Sequence, residues 1–390
     1  MNKHDDTNEN SPQTSGDSES DFDSQRGSTI IKSRRPSFLT DRRISEDEAL
    51  RRDEWLQRAR LSFNNRLSAK ILHKVQFSND FNGLYCAKFS PSGDVIATTF
   101  GTGGIQIRNG ETGALKATLK GALPTSLPMM CCRFNPIHEN IFYASGACGN
   151  IFLCTTDTLE FSRFIEEPDN EINTIDINID GQKIASGGKD AALRIYDSLT
   201  GKLITIYQKK KHEISAEKVE NYHRMRIFSV KFHQTYPDLI ISGGWDDTVR
   251  IWDMRVGTGS IKVIKGPHIC GDAIDVRESK ILTASWHVRK SLQLWDLTSG
   301  QIIDTIEPEN RPTTLEGEFF YAAQYFDGDP YGEHIIAGGS GTGAVEVINI
   351  TTKRVVGSFE VKKAVLTLDS NRTSIVFGGM ESIIHLADFS

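Results

Sequence analysis

The sequence predicts an all-β domain assembled from seven repeats, preceded by a disordered tail and a short α-helix. Three observations carry this. Beyond about residue 69, short alternating or β-branched runs are separated by Gly, Asp and Asn turns, the pattern of strands rather than helices. Within that region one segment visibly recurs: "KIASGGKDAALRIYDSLTG" (183–201) and "LIISGGWDDTVRIWDMRVG" (239–257). Both contain an apolar strand, a small-residue turn with an acid, a second apolar strand and a terminal aromatic-Asp pair. Ahead of the repeats the composition changes, and with it the expected structure.

Residues 1–44 are rich in Ser, Asp, Asn, Gln and Arg and have few large apolar groups, too few to offset the entropy of ordering. A disordered tail is expected. Residues 1–28 hold seven acidic and two basic side chains, a net −5 of the chain's −6. The remainder is therefore close to neutral. The tail contains "RRPS" ending at Ser37 and "RRIS" ending at Ser45, each a serine after two arginines, and these resemble the sites of basophilic kinases. At "SEDE" Glu48 follows Ser45 by three residues, the spacing of a capping box, so a helix is expected over 45–66. Ala49, Leu56 and Phe63 fall at i, i+7 and i+14, with arginines on other faces. That stripe suits either a helix leaning on its own domain or one that docks on a partner.

Residues 67–390 form the repeat region. With the segment above as template, copies end their second apolar strand at Asn109, Thr155, Asp197, Asp253, Asp296, Asn349 and Asp388, spaced 39 to 56 residues apart. Seven copies result. Each is preceded by a short apolar strand, beginning at Cys86, Cys131, Ile175, Phe228, Ala273, Tyr321 and Val365. The chain here resembles the WD-repeat family, most plainly in the third, fourth and fifth copies. The resemblance implies a seven-bladed β-propeller of four-stranded blades about a central channel. It also implies, in blade four, a structural tetrad of His223, Ser242, Asp246 and Trp252. Blade three keeps Ser186 and Asp190 but has Tyr196 and no matching His; blade five keeps Thr283 and Trp295 but loses the Asp. Because the last repeat stops at Ser390 after its third strand, residues 68–77, "SAKILHKVQF", are expected to supply its outer strand and close the ring.

Composition narrows the function. With 38% hydrophobic and 25% charged residues the chain can bury a large core. No apolar run approaches a membrane span, and the N-terminus has no signal-peptide core. The expectation is a cytoplasmic or nuclear protein that does not enter the membrane. A near-neutral body weighs against nucleic acid as a direct ligand. The six cysteines show no CxxC pair or metal-ligand spacing and are expected to be reduced and mostly buried. The Gly-rich runs at Gly101 and Gly338 lead into strands rather than helices, so they read as turns, not phosphate cradles. No G-x-S-x-G elbow accompanies the Asp, His and Ser of blade four, so no catalytic residue, cofactor or metal is assigned.

Function is then expected from surfaces, through binding of other proteins or peptides. The longest insertion, residues 208–226, carries Lys209, Lys210 and Lys211 and reads as either a solvated loop or a site for an acidic partner. Phe319 and Phe320, with Tyr331, are candidate exposed anchors, although alternate residues of that segment suit a strand's core face. The leading expectation is a non-enzymatic scaffold of a multiprotein complex. A second is a substrate receptor of a cullin-4 ubiquitin ligase, because residues 240–255 are similar to that family's WDxR box, with Arg255 at its end.

Overall fold

The computed structural model describes residues 68–209, 221–257, 259–311 and 317–390. They form seven four-stranded antiparallel sheets, each packed through its inner strand on the next and the seventh on the first, a seven-bladed propeller. The expected tail, the helix over 45–66, both serines and Lys210 and Lys211 lie outside the described residues. Blade four shows the common plan. From channel to rim its strands are Ile227–Phe232, Leu239–Gly244, Thr248–Asp253 and Lys262–Lys265.

Position in the blade explains residue type. Inner, second and third strands are buried on both faces and read as continuous apolar or small-residue runs, whereas outer strands alternate toward water. The paired glycines closing the second strand serve a packing need. A Cβ on Gly187 would stand 2.6 Å from Ile227 of the next blade, and one on Gly243 would stand 2.6 Å from Ile274. Blade faces approach too closely there for any side chain.

The third strands end at Asn109, Thr155, Asp197, Asp253, Asp296 and Asn349, and the last runs one residue past Asp388 to Phe389. The reason for Asp or Asn at this position is local. Asp197 Oδ1 accepts from the Leu199 and Thr200 N–H groups, and Asn109 Oδ1 does the same for Glu111 and Thr112. These short acceptors turn the chain into the outer strand.

Residues 68–77 do what their sequence suggested. The strand Ala69–Gln76 pairs antiparallel with Ile383–Phe389, from Ala69 opposite Phe389 to Gln76 opposite Ile383. The seventh blade thus joins strands from two distant parts of the chain. Ser68 and Ser390 complete the ladder through their backbones.

Candidate functional site

The blade-four tetrad is an ordered chain of hydrogen bonds. The Trp252 indole N–H donates to Ser242 Oγ at 2.7 Å, and Ser242 Oγ lies 2.7 Å from His223 Nε2. His223 Nδ1 lies 3.0 Å from Asp246, whose carboxylate also accepts from Thr248 Oγ1 and the Arg224 N–H. Burial pushes the His223 pKa down against the pull of Asp246, so the ring is neutral. A neutral ring fixes the order: Ser242 donates to Nε2, and Nδ1–H donates to Asp246. Burial alone would raise Asp246, but the hydrogen bonds it accepts from His223, the Arg224 N–H and Thr248 hold it well below the usual carboxylate range. All four side chains are spent on one another and none faces a ligand.

Blade three builds the same brace from different atoms. Glu167 takes the histidine's place: Oε1 accepts from Ser186 Oγ at 2.5 Å and Tyr196 OH at 3.0 Å, and Oε2 accepts from Asn170 and Arg194. Asp190 instead pairs with Arg194. Sequence comparison sought a histidine and so missed Glu167, although a carboxylate before the inner strand was the available signal. Blade five keeps only Trp295 Nε1 to Thr283 Oγ1, at 3.0 Å.

A charged ring lines the channel. The fifth position of each inner strand is Lys88, Arg133, Asp176, Lys231, Gln324 or Asp369, with Asp275 equivalent in the shorter strand of blade five. The three aspartates each reach forward to hold the next blade's backbone: Asp176 accepts from the Phe232 N–H, Asp275 from Tyr325 and Asp369 from Phe89. Around the ring the signs nearly alternate, and the one place where two cations adjoin is Lys88 and Arg133. There Asp272, on the loop entering blade five, reaches across the channel and pairs with Lys88 at 2.9 Å and Arg133 at 2.7 Å. Burial alone would raise Asp272, but the two cations hold it far below the carboxylate range. The two adjoining cations thus share one counter-charge.

Above this floor opens a cavity of about 320 Å³ lined by every blade. Its wall has a single structural cause. Six of the seven inner strands carry a bulge at their second residue, between Leu84 and Cys86, Met129 and Cys131, Ile172 and Thr174, Ile227 and Ser229, Phe320 and Ala322, and Val365 and Thr367. A bulge re-aims the extra side chain, and the six residues so placed, Tyr85, Met130, Asn173, Phe228, Tyr321 and Leu366, all line the mouth. Blade five substitutes the loop 270–272. The polar groups beneath are Asp272, Asn173 and the Thr174 hydroxyl, which is buried without a partner. Burial pushes the Cys270 thiol up to about 11, so the mouth's half-exposed thiol is protonated at neutral pH.

Two tryptophans that the sequence reading did not single out as ligands flank this mouth. Trp245 is 38% exposed, stacks on Phe228 with ring centroids 5.0 Å apart, and lies under Arg226. Trp286 is 39% exposed and donates from Nε1 to Tyr321 OH at 3.0 Å. The expected anchors fare differently. Phe320 is fully buried beneath Arg311 and offers no surface, because it is the first residue of an inner strand rather than part of a loop. Phe319 is half-buried against Trp286. Lys209 is exposed just past blade three's outer strand. Arg255 lies at the opposite end of the blade from Trp245, its side chain 70% exposed and paired with Asp253 at 2.6 Å. It borders a hollow of about 260 Å³ formed with Tyr236, Pro237, Asp238 and Leu239. Among the described residues no group of three His, Cys, Asp or Glu could hold a metal ion, and no helix is long and apolar enough to cross a membrane.

These features define a closed propeller whose polar residues brace it and whose channel mouth is a lined cavity. Two stretches, 160–197 and 218–253, match the family model described as WD domain, G-beta repeat. The second covers the first three strands of blade four. The chain is a WD-repeat β-propeller protein and, at that level, a protein-binding fold. It is also similar to Coronin-7 from Rattus norvegicus, 30% identical over 84 residues, and to Coronin-7 from Mus musculus, 31% identical over 84 residues. Each match covers 22% of this chain and 8% of the relative.

Proposed function

We propose that the protein is a non-enzymatic scaffold that binds a peptide segment of a partner at the channel mouth. One observation carries the reading: six bulges turn six side chains into a single cavity, five of them apolar or aromatic. That lining suits an apolar side chain of a partner, and the volume lies at the lower end of ligand-binding cavities, about 300–1,000 Å³. The ion pairs below are already satisfied, and the Cys270 thiol is protonated, so neither supplies a nucleophile or a base. The test is selection of a random peptide library on the wild type and on Leu366→Trp, which fills the mouth. Enrichment of peptides that lose binding to Leu366→Trp, with the melting temperature kept, is expected; equal recovery on both proteins would remove the mouth as the site.

A second reading, the cullin-4 substrate receptor, is supported by the exposure of Arg255 beside its hollow. Its test is affinity purification from extract of wild type and Arg255→Ala. Absence of the cullin-4 adaptor, or recovery unaltered by the substitution, would dispose of it. Phosphorylation at Ser37 or Ser45 would add about −1.5 to −2 charges each and tune one contact of the scaffold; phosphopeptide mapping of the cellular protein tests it. Residence in the cytoplasm or nucleus is part of the same proposal, and fractionation checks it.

A further inference from the structure

We infer that the mouth's rim over blades four and five is a docking surface for an anionic peptide segment, carboxylate or phosphate, that flanks the residue seated in the cavity. The inference rests on the peptide-binding reading and adds the partner's charge. Three loops build the surface and are tied together around one turn. Trp245 N–H donates to Arg226 O, and the Arg224 N–H donates to Asp246, joining the loop before blade four to the turn at 245–247. Gly266 N–H donates to Asp247 O, His268 Nδ1 meets Asp247 at 2.6 Å, and Trp286 N–H donates to His268 O, which brings in the other two loops.

On this scaffold stand Arg224, Lys265, Arg289 and Lys290, all exposed and making no ion pair among the described residues. Arg226 lies against Trp245 and is held by Glu171, which also takes Lys189 at 2.6 Å. Among the described residues, the exposed acid at the centre, Asp247, is engaged by His268. Four cations with no ion pair among the described residues thus stand with two exposed tryptophans on a body that is otherwise close to neutral. Unpaired cations near one another repel, and an anionic ligand relieves this. Exposed Trp and Arg are the side chains that most often anchor interfaces. A peptide fits better than nucleic acid. The patch spans two blades and is bounded by Glu171 and Asp190, too short for a phosphate backbone track, and the adjoining cavity is apolar.

The experiment uses the full chain and three fluorescein-labelled degenerate peptide pools, each with a fixed Leu-Phe anchor followed by fixed Glu, phosphoserine or Lys positions. Binding is read by polarisation at low and high salt. The Glu or phosphoserine pool is expected to bind at least tenfold more tightly than the Lys pool, with the difference shrinking as salt screens it. The two anionic pools distinguish carboxylate from phosphate. Arg289→Glu with Lys290→Glu is expected to abolish or invert the preference, whereas Leu366→Trp should weaken all pools alike. If the pools bind equally, or the preference survives the charge swap, the inference fails while the peptide reading stands. If the preference follows the charge swap but Leu366→Trp changes nothing, the rim stands and the mouth falls. Retention of no pool sinks both. Oligouridine bound as tightly as the Glu pool and lost on the same swap would overturn a peptide as the partner.

Discussion

Replacing Ser242 by Ala should destabilise the propeller through the two partners it abandons. Its hydroxyl accepts from the Trp252 N–H and donates to His223 Nε2, both at 2.7 Å, and all three side chains are buried. Removing it orphans one buried donor and one buried acceptor, about 1–3 kcal/mol each. The expected loss is about 2–6 kcal/mol. Unfolding entropy of about 2.1 cal/mol/K per residue over roughly 320 residues makes this about 3–9 °C in melting temperature. Ser145→Ala is the control, since its hydroxyl is also buried but has no partner, so its removal should be neutral or slightly stabilising. Thermal melts followed by circular dichroism measure both. In a Trp252→Phe background, where the donor is already gone, Ser242→Ala should cost at least about 1 kcal/mol less. A Ser242→Ala melt within 1 °C of wild type, or an equal loss in Ser145→Ala, would refute the account of the tetrad.

Four further outcomes are expected. Burial lowers the pKa of His223 and of His385, so the unfolded chain binds protons that the fold does not. Stability is then fully present above the ordinary histidine pKa of about 6.5 and falls as pH drops through it, with Asp246 adding a further loss near pH 4; denaturant midpoints unchanged between pH 7 and 5 would contradict this. Deleting residues 68–76 removes the outer strand of blade seven and should unfold the propeller cooperatively; an unchanged melting temperature would refute closure by that strand. Asp272→Asn leaves Lys88 and Arg133, both nearly inaccessible, without their shared counter-charge and should cost about 3–5 kcal/mol in chemical denaturation; a loss below 1 kcal/mol would show the cross-channel pairs to be dispensable. Arg255→Ala removes an exposed pair and should leave the denaturation midpoint unchanged, so any effect on partner recovery is an effect on binding.

The repeat, the blade count and the strand that closes the ring were legible because each follows from patterns of a few adjacent residues. Starts of the first three inner strands were placed two or three residues late, at Cys86, Cys131 and Ile175 rather than Leu84, Met129 and Ile172. The bulge is the reason: it interrupts the alternation by which a strand is recognised, and the apolar residue before it reads as loop. Yet the bulges have a signature. An apolar residue, a variable one and a small one recur as Leu84-Tyr85-Cys86, Met129-Met130-Cys131, Ile172-Asn173-Thr174, Ile227-Phe228-Ser229, Phe320-Tyr321-Ala322 and Val365-Leu366-Thr367. The variable residue is the one that reaches the mouth. Phe320 failed as an anchor for the same reason, since it holds the apolar first place and Tyr321 the variable one. Glu167 was passed over because the pattern asks for a histidine there, and Asp272 was not legible because its partners lie across the channel.

Asp272 also explains why blade five departs from the others. Six blades reach the mouth by a bulge, but a bulge delivers only the residue already in the strand. To place a carboxylate between Lys88 and Arg133 the chain must come from across the channel, and the blade-five loop does so at 270–272, shortening its inner strand to Ile274–Arg277. Gly271 lets it pass, for a Cβ there would stand 2.3 Å from the Tyr321 carbonyl oxygen. The same loop starts just after Lys265 and carries His268 outward to the rim. One departure from the repeat therefore both seals the channel's charge from below and contributes to the cationic surface above. A partner that presses on the rim would bear on the loop that holds Asp272, and so on the pairs that span three blades. Substitution at Asp272 should for that reason weaken peptide binding and stability together, whereas Arg289→Glu with Lys290→Glu, on the exposed turn of the same blade, should alter binding alone.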